Sequence, residues 1–384
     1  MDLVLSGNGP GELTGWIAPL ARAAREGVSP SVRITLALTP SQFAGGRELD
    51  VVRGWGLFDR ILGPGQCLRL ALGLMRMDCP ERGVLVHLGG DLWLSGRLAS
   101  ALRVPACALV ETTLVARRHV AFARIFASSH SLAEALRARG VPQSKLLVSG
   151  DPRGDAFGEG AQPGRIRAAA APSIAFLPGS RDRFFRILAP YFAAAGAALA
   201  EHTPGILVRI VASPFLSPSL VAAVQAEVAR RWPRLHVEWL TGQAPRALAG
   251  SDLVVTIPGT NTMELTVIGT PFVVVLPLQW IDLIPLEGAL EWMGRLPGLG
   301  HWMKHGLLSR YLARGGFLAL PNLRGGRRVV PEWVGRWTPA ELAMRIADYY
   351  ADRAALDRVR TELAVLRPSA GAARLIVTQA LALA

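Results

Sequence analysis

Leu253-Val254-Val255-Thr256-Ile257-Pro258-Gly259-Thr260-Asn261-Thr262-Met263-Glu264 runs from a short aliphatic stretch through a Pro-Gly corner into residues suited to begin a helix. An apolar run this short, bounded by turn residues, reads as a buried strand. The next such run, Phe272-Val273-Val274-Val275-Leu276, follows Gly269-Thr270-Pro271. Strand, turn, helix and strand in that order form the repeating unit of a parallel α/β sheet. At the corner, unsatisfied backbone N–H groups and the helix dipole favour a phosphate on Gly259, Thr260, Asn261 and Thr262. Glu264, one helical turn further, is placed to accept hydrogen bonds from ribose hydroxyls. Taken alone, the pattern also suits any strand–turn–helix corner.

A second corner has the same character. Ser173-Ile174-Ala175-Phe176-Leu177 reads as a strand leading into Pro178-Gly179-Ser180-Arg181. Gly179 permits close backbone approach, Ser180 offers a hydroxyl, and Arg181 carries a planar fork suited to phosphate. Ligands of open parallel sheets bind at the C-terminal ends of strands, where both corners would lie.

Strand–helix alternation extends to the start of the chain: Leu3–Ser6, a helix from about Thr14 to Glu26, Val32–Leu38, Gly83–Leu88, Ala106–Val110 and Arg124–Ala127. The Gly-, Pro-, Arg- and Ala-rich stretch from Asp151 to about Ala171 reads as a linker, after which strands resume at Ile174, Ile206–Ala212, His236–Leu240, Leu253–Thr256 and Phe272–Leu276. Helices are expected at about Ser219–Arg231 and Pro245–Leu248. The expected fold class is α/β: one Rossmann-like domain over 1–160, a second over 170–350, and closing helices over 351–384 that cross back toward the first domain. Those helices are placed at about Pro339–Leu366 and Ala370–Ala384.

Leu177-Pro178-Gly179-Ser180-Arg181, Gly259 to Glu264, and Leu320-Pro321-Asn322-Leu323 with Pro331-Glu332 resemble, in order and spacing, the motifs of the lipid A disaccharide synthases. Gly11-Glu12-Leu13-Thr14-Gly15 is similar to that family's Gly-Glu-x-Ser-Gly-Asp opening. The resemblance implies a GT-B fold with two Rossmann-like domains facing across a cleft, donor in the second and acceptor in the first. It implies an inverting hexosyltransferase that transfers a diacylglucosamine unit from a UDP-sugar to a lipid-linked acceptor, releasing UDP. In the family the donor is UDP-2,3-diacylglucosamine and the acceptor its 1-phosphate. The implied donor residues are Gly179, Ser180, Arg181, Gly259, Thr260, Asn261, Thr262, Glu264 and Asn322, with Gly11, Thr14 and Gly15 on the acceptor side. Two positions depart from the pattern: Trp16 stands where the opening motif ends in aspartate, and Leu92-Trp93-Leu94 follows Asp91 where a second acid is expected. These departures point to an altered acceptor.

With 384 residues, 51% hydrophobic and 18% charged, the chain is long enough for two full cores. Its 42 basic against 29 acidic residues give a net charge of +13, almost all from arginine, since Lys145 and Lys304 are the only lysines. A basic surface attracts nucleic acid, anionic membranes or phosphorylated ligands. No nucleic-acid recognition motif or aromatic-interleaved basic platform accompanies it, which argues against nucleic acid. Cys67, Cys79 and Cys107 have neither disulfide nor metal-ligand spacing, as in a reducing compartment. The first residues lack a basic leader region, and no apolar run reaches the ~18 residues of a spanning helix. The location expected is cytoplasmic, peripheral on the inner face of the cytoplasmic membrane.

Gln66 to Met77 reads as an apolar helix with Arg69 and Arg76 on one face. It suits a membrane interface or a buried helix with snorkelling arginines. The resemblance favours the membrane, which that family meets through an apolar patch in its N-terminal domain. Trp280, Trp292, Trp302, Met293, Met303 and Tyr311 between Leu276 and Phe317 suit an acyl-chain groove or an ordinary core.

Inverting transfer needs a general base for the acceptor hydroxyl and positive charge for the leaving diphosphate. Asp91, after His87-Leu88-Gly89-Gly90, is the first candidate base, at a position similar to the family's strand-end aspartate; Glu12 is the second, or orients the acceptor. His87 reads as a core histidine, and Asp151 and Asp155 as turn-formers. No Asp-x-Asp-like site occurs, so no metal or cofactor is expected and the UDP-sugar enters as substrate. A related transferase with another glycolipid acceptor, a UDP-sugar epimerase of similar fold and a non-catalytic nucleotide-binding protein remain alternatives.

Overall fold

The computed structural model describes residues 1–28, 31–41, 46–77, 82–157, 172–241, 248–283 and 299–384. They fall into two compact units, one formed from residues 1–159 together with Pro368–Ala384 and the other from residues 160–367. Residues 245–247 of the expected helix at Pro245–Leu248, the thiol of Cys79, and Trp292, Met293 and the side chains of Trp302 and Met303 lie outside the described residues.

The first unit is built on β1 (Asp2–Gly7), β2 (Arg33–Leu38), β3 (Arg60–Leu62), β4 (Gly83–His87), β5 (Ala106–Val110), β6 (Arg124–Ala127) and β7 (Leu146–Val148). These pair in the order β3-β2-β1-β4-β5-β6-β7, every pair parallel. Val4, Leu85, Ala108 and Ile125 are wholly buried under a layer containing Leu98, Phe122 and Leu136. Strands covered on both faces become continuous aliphatic runs, which is why β1 and β4 are legible by composition.

The second unit contains β8 (Ser173–Leu177), β9 (Leu207–Ala212), β10 (Val237–Thr241), β11 (Leu253–Thr256), β12 (Phe272–Pro277) and β13 (Glu332–Gly335). Their order is β10-β9-β8-β11-β12-β13, again parallel throughout. The helix Asp182–His202 packs over this sheet, with Phe192 stacked on Phe176 at 5.2 Å between ring centres. By length and composition it could span a bilayer, yet Phe185, Leu188, Phe192 and Leu199 bury it in the core.

Three sequence expectations change in detail. The helix expected over Gln66–Met77 is Pro64–Ala71; Gly73, with φ of 75°, ends the run, so Arg69 and Arg76 do not share a helical face. The helix expected over Pro339–Leu366 is two, Pro339–Ala351 and Arg353–Leu366, because Asp352 caps the second by accepting from the Ala355 N–H. Asp151 to Phe157 is structured, with a helix over Arg153–Phe157. Asp155 accepts from the N–H groups of Gly371 and Ala373, fastening the last helix, Ala372–Leu381, to the first unit.

Candidate functional site

Each sheet reverses its strand order at one place. In the second unit β8 is followed on one side by β9 and β10 and on the other by β11, so the crevice between β8 and β11 is the switch point where such sheets take ligands. Thr256 lies opposite Leu177, and the two strands therefore end level. The corners after them meet. Gly179 has a φ of 105°, and a Cβ there would lie 3.0 Å from Cδ1 of Ile257. The positive φ favours glycine, and a Cβ would also press on the Ile257 side chain.

Beyond Ile257, Gly259 and Thr260 are exposed at the head of the helix Asn261–Ile268. The Thr262 hydroxyl donates to the Gly259 carbonyl at 2.7 Å and accepts from the Leu320 N–H at 3.2 Å. That bond ties the second motif to the third. Asn261 donates through Nδ2 to the Thr256 hydroxyl, while its Oδ1 is buried and accepts no hydrogen bond among the described residues. A buried acceptor of this kind is costly unless something supplies a donor. Arg181 precedes the helix Asp182–His202 and is half-buried, as is Ser180. Glu264 is half-buried within the first turn of its helix.

Asn322 behaves differently from a ligand-contacting residue. It is fully buried, its Oδ1 accepts from the Val329 and Val330 N–H groups at 2.7 and 2.8 Å, and its Nδ2 donates to the Val330 carbonyl and to Glu332 Oε1. Glu332 Oε1 also accepts from Leu318 and Ala319. The Leu320–Leu323 motif thus builds a buried brace behind the corner, with Asn322 spent on the backbone.

The first unit has its own switch point between β1 and β4, where Ser6 lies opposite His87. Glu12 Oε2 accepts from the Asn8 and Gly9 N–H groups at 2.8 and 2.9 Å. Its carboxyl lies where a side chain on Gly89 would stand: a Cβ there would come within 2.0 Å of Glu12 Cδ. Burial pushes the Glu12 carboxyl above the usual carboxylate range, against the pull of the two N–H groups and of Arg153. Thr14 and Gly15 lie in a wide turn, Leu13–Ile17, closed by an Ala18 N–H to Leu13 carbonyl bond; Gly11 lies just before it. Wide turns of this type recur at functional sites.

Asp91 is exposed and caps the helix Leu92–Leu102, accepting from the Leu94 N–H at 3.0 Å. His87 is buried with Nδ1 2.8 Å from the Ser95 hydroxyl, and burial lowers it to about 4. It is a neutral core histidine.

Trp16 lies inside the first unit, where its indole N–H donates to Asp151 Oδ1 at 3.0 Å. Sequence reasoning did not single out Glu111 or Arg153. Arg153 is fully buried and pairs with Glu111 at 2.7 Å and Asp151 at 3.0 Å, its guanidinium 4.5 Å from the Trp16 ring centre. The partners lie 42 and 135 residues apart in pairs, a separation no local pattern reveals.

The family model described as lipid-A-disaccharide synthetase matches residues 165–285, the stretch that holds both touching corners. Over these residues the chain is similar to that family. A lipid-A-disaccharide synthase of Myxococcus xanthus is 28% identical over 204 residues, 52% of this chain and 45% of that protein. One from Burkholderia vietnamiensis is 31% identical over 176 residues, 46% and 38% of the respective chains. The chain thus matches less than half the length of these lipid-A-disaccharide synthases. Among solved structures, Acinetobacter baumannii MurG aligns with a TM-score of 0.53 at 13% identity, covering 99% of this chain and 98% of that one. A putative UDP-N-acetylglucosamine 2-epimerase from Listeria monocytogenes aligns at 0.55 with 15% identity, covering 94% and 90%. Those two alignments identify the fold, GT-B, with two parallel α/β sheets.

Proposed function

We propose that the chain is an inverting glycosyltransferase that takes a UDP-linked sugar of the glucosamine type and transfers it to a lipid-linked acceptor, releasing UDP. The observation that carries this reading is the contact of the Gly179 and Ile257 corners at the β8–β11 switch point, within the segment matched by the family model. Backbone N–H groups at Gly259 and Thr260 and the Arg181 guanidinium take the diphosphate; no other chemistry is needed to hold its charge. The open acceptor of Asn261 Oδ1 suits a hydroxyl or amide N–H of the same ligand. Glu264 takes the ribose hydroxyls.

In the transfer, the acceptor oxygen attacks the anomeric carbon as the bond from that carbon to the diphosphate breaks. Its proton passes to a carboxylate, and UDP leaves with the bonding electrons. Asp91, exposed at the edge of the first sheet with one oxygen fixed by Leu94, serves as the base. Glu12 holds the neighbouring turn. Leu68, Leu72 and Leu74, exposed beside Arg69, give the first unit an apolar face for the lipid-bearing membrane.

Purified protein supplied with a UDP-glucosamine-type donor and a panel of lipid-linked acceptors should release UDP only when an acceptor is present, and Asp91→Asn should abolish release while UDP still binds. Interconversion of the free UDP-sugar without acceptor would replace the transferase by an epimerase. Unchanged behaviour of Asp91→Asn would remove that residue from the reaction.

A further inference from the structure

The sequence between Glu291 and Glu332 holds no acidic residue, while its basic ones include Lys304, Arg310, Arg314 and Arg328. It lies beyond residues 165–285, which match the family model. Its helix Leu299–Ala313 belongs to the second unit and runs beside Leu278–Leu283. Positions i, i+3, i+4 and i+7 of a helix share one face. Leu307, Arg310, Tyr311 and Arg314 have that spacing, the last just past the helix end, and all four are exposed. Leu308 and Leu312, on the adjoining row, are half-buried.

The end of this face is fixed by hydrogen bonds. Gly315, with φ of 78°, stops the helix; its N–H donates to the Leu312 carbonyl at 2.9 Å, and the Gly316 N–H donates to the Tyr311 carbonyl at 3.0 Å. The Tyr311 ring covers Gly316, where a Cβ would come within 2.5 Å of it, and the Tyr311 hydroxyl donates to the Phe317 carbonyl at 2.8 Å. Ring and turn hold each other, so Tyr311 stays in place although it is 44% exposed. The guanidinium groups of Arg310 and Arg314 have no ion-pair partner among the described residues.

Apolar side chains flanked by unpaired cations, with no carboxylate in the surrounding sequence, complement an anionic bilayer: the leucine and the ring enter the headgroup boundary, and the arginines meet the phosphates. A single convex helix face suits a partner without a fixed shape, which a fluid bilayer is. We infer that the second unit makes its own contact with an anionic lipid surface, through the face of Leu307, Arg310, Tyr311 and Arg314. This contact is separate from the apolar face around Leu68 in the first unit and does not depend on the transferase reading.

The test is co-sedimentation of the full chain with vesicles of equal parts phosphatidylglycerol and phosphatidylcholine, and with vesicles of phosphatidylcholine alone. Each variant is made in the parent and in a Leu68→Ser, Leu72→Ser, Leu74→Ser background that removes the first unit's face. Arg310→Ser combined with Arg314→Ser should weaken binding to the anionic vesicles about fivefold per arginine and leave binding to the neutral ones where it was. Arg310→Lys with Arg314→Lys should keep the affinity, and Leu307→Ser should lower it on both vesicles. Cations also favour a helix C-terminus, so the melting temperature of each variant is compared with the parent's. Amide exchange over residues 307–317 should slow when anionic vesicles are added, which a role confined to helix stability would not produce. Equal binding by the double serine variant in the leucine-free background, or exchange over 307–317 untouched by vesicles, overturns the inference. Arginine-dependent retention on single-stranded RNA with none on vesicles assigns the face to nucleic acid and overturns it too. Arginine-dependent vesicle binding without UDP release from any acceptor would sink the transferase reading and leave this one standing. UDP release with vesicle binding indifferent to these arginines would do the reverse.

Discussion

Gly179 and Ile257 touch where a side chain is missing: a Cβ on Gly179 would stand 3.0 Å from Ile257 Cδ1, and the backbone there is left-handed. Gly179→Ala therefore forces a disfavoured φ and pushes the two corners apart, at a cost of about 1–3 kcal/mol for the strained backbone. UDP affinity should fall at least as far as stability does. Calorimetry and urea denaturation on the same variant check this, and an Ala variant that binds UDP like the parent would detach Gly179 from the site.

Asn322 makes its contribution from behind the corner. Asn322→Ala leaves the Val329 and Val330 N–H groups and the Val330 carbonyl unpaired in the interior, each at about 1–3 kcal/mol. A large loss of stability by denaturant unfolding is the expected result, with UDP affinity weakened only as the brace loosens. A stable protein that simply no longer binds UDP would show direct contact instead.

His87 gives a pH signature. Its unfolded value lies near 6.5 and burial lowers it to about 4 in the folded protein, so protonation favours unfolding. Stability from this group is fully present above about pH 6.5 and is lost as pH falls toward 4, amounting to about 3 kcal/mol. His87→Gln, which can keep the contact with Ser95, should flatten this part of the melting-temperature profile between pH 6.5 and 4. A variant whose profile stays parallel to the parent's would contradict the assignment.

Asp155 fastens the last helix through the Gly371 and Ala373 N–H groups. Asp155→Ala should cost about 0.5–2 kcal/mol, as for loss of a helix cap. Limited proteolysis should then cut near Pro368 sooner than in the parent, and an unchanged digestion pattern would count against this clamp.

The strands were the readiest part of the fold to read. β1, β4, β8, β11 and β12 are aliphatic because both their faces are covered, and composition alone marks them. β3, β7 and β13 span only three or four residues and are only partly buried, too short for a run to stand out in the sequence. Gly179 and Gly259 were legible as corner residues because a strand ends just before each. The role of Asn322 was not, since its partners at Val329, Val330 and Glu332 are known only once the chain has turned back on itself. Arg153 sits in Gly150-Asp151-Pro152-Arg153-Gly154-Asp155, where turn chemistry masks it; only folding brings Glu111 and Trp16 to its guanidinium. The helix over Gln66–Met77 was overextended because apolar periodicity continues past Gly73, whose left-handed backbone ends it.

The central claim is that the corners after β8 and β11 hold a sugar-linked pyrophosphate. Isothermal titration of the full chain with UDP, with inorganic phosphate as control, tests it most directly. Saturable one-to-one binding by UDP, weakened at least tenfold in Arg181→Ala and in Gly259→Val, is the predicted result. No heat with UDP, or equal binding by both variants, would contradict it.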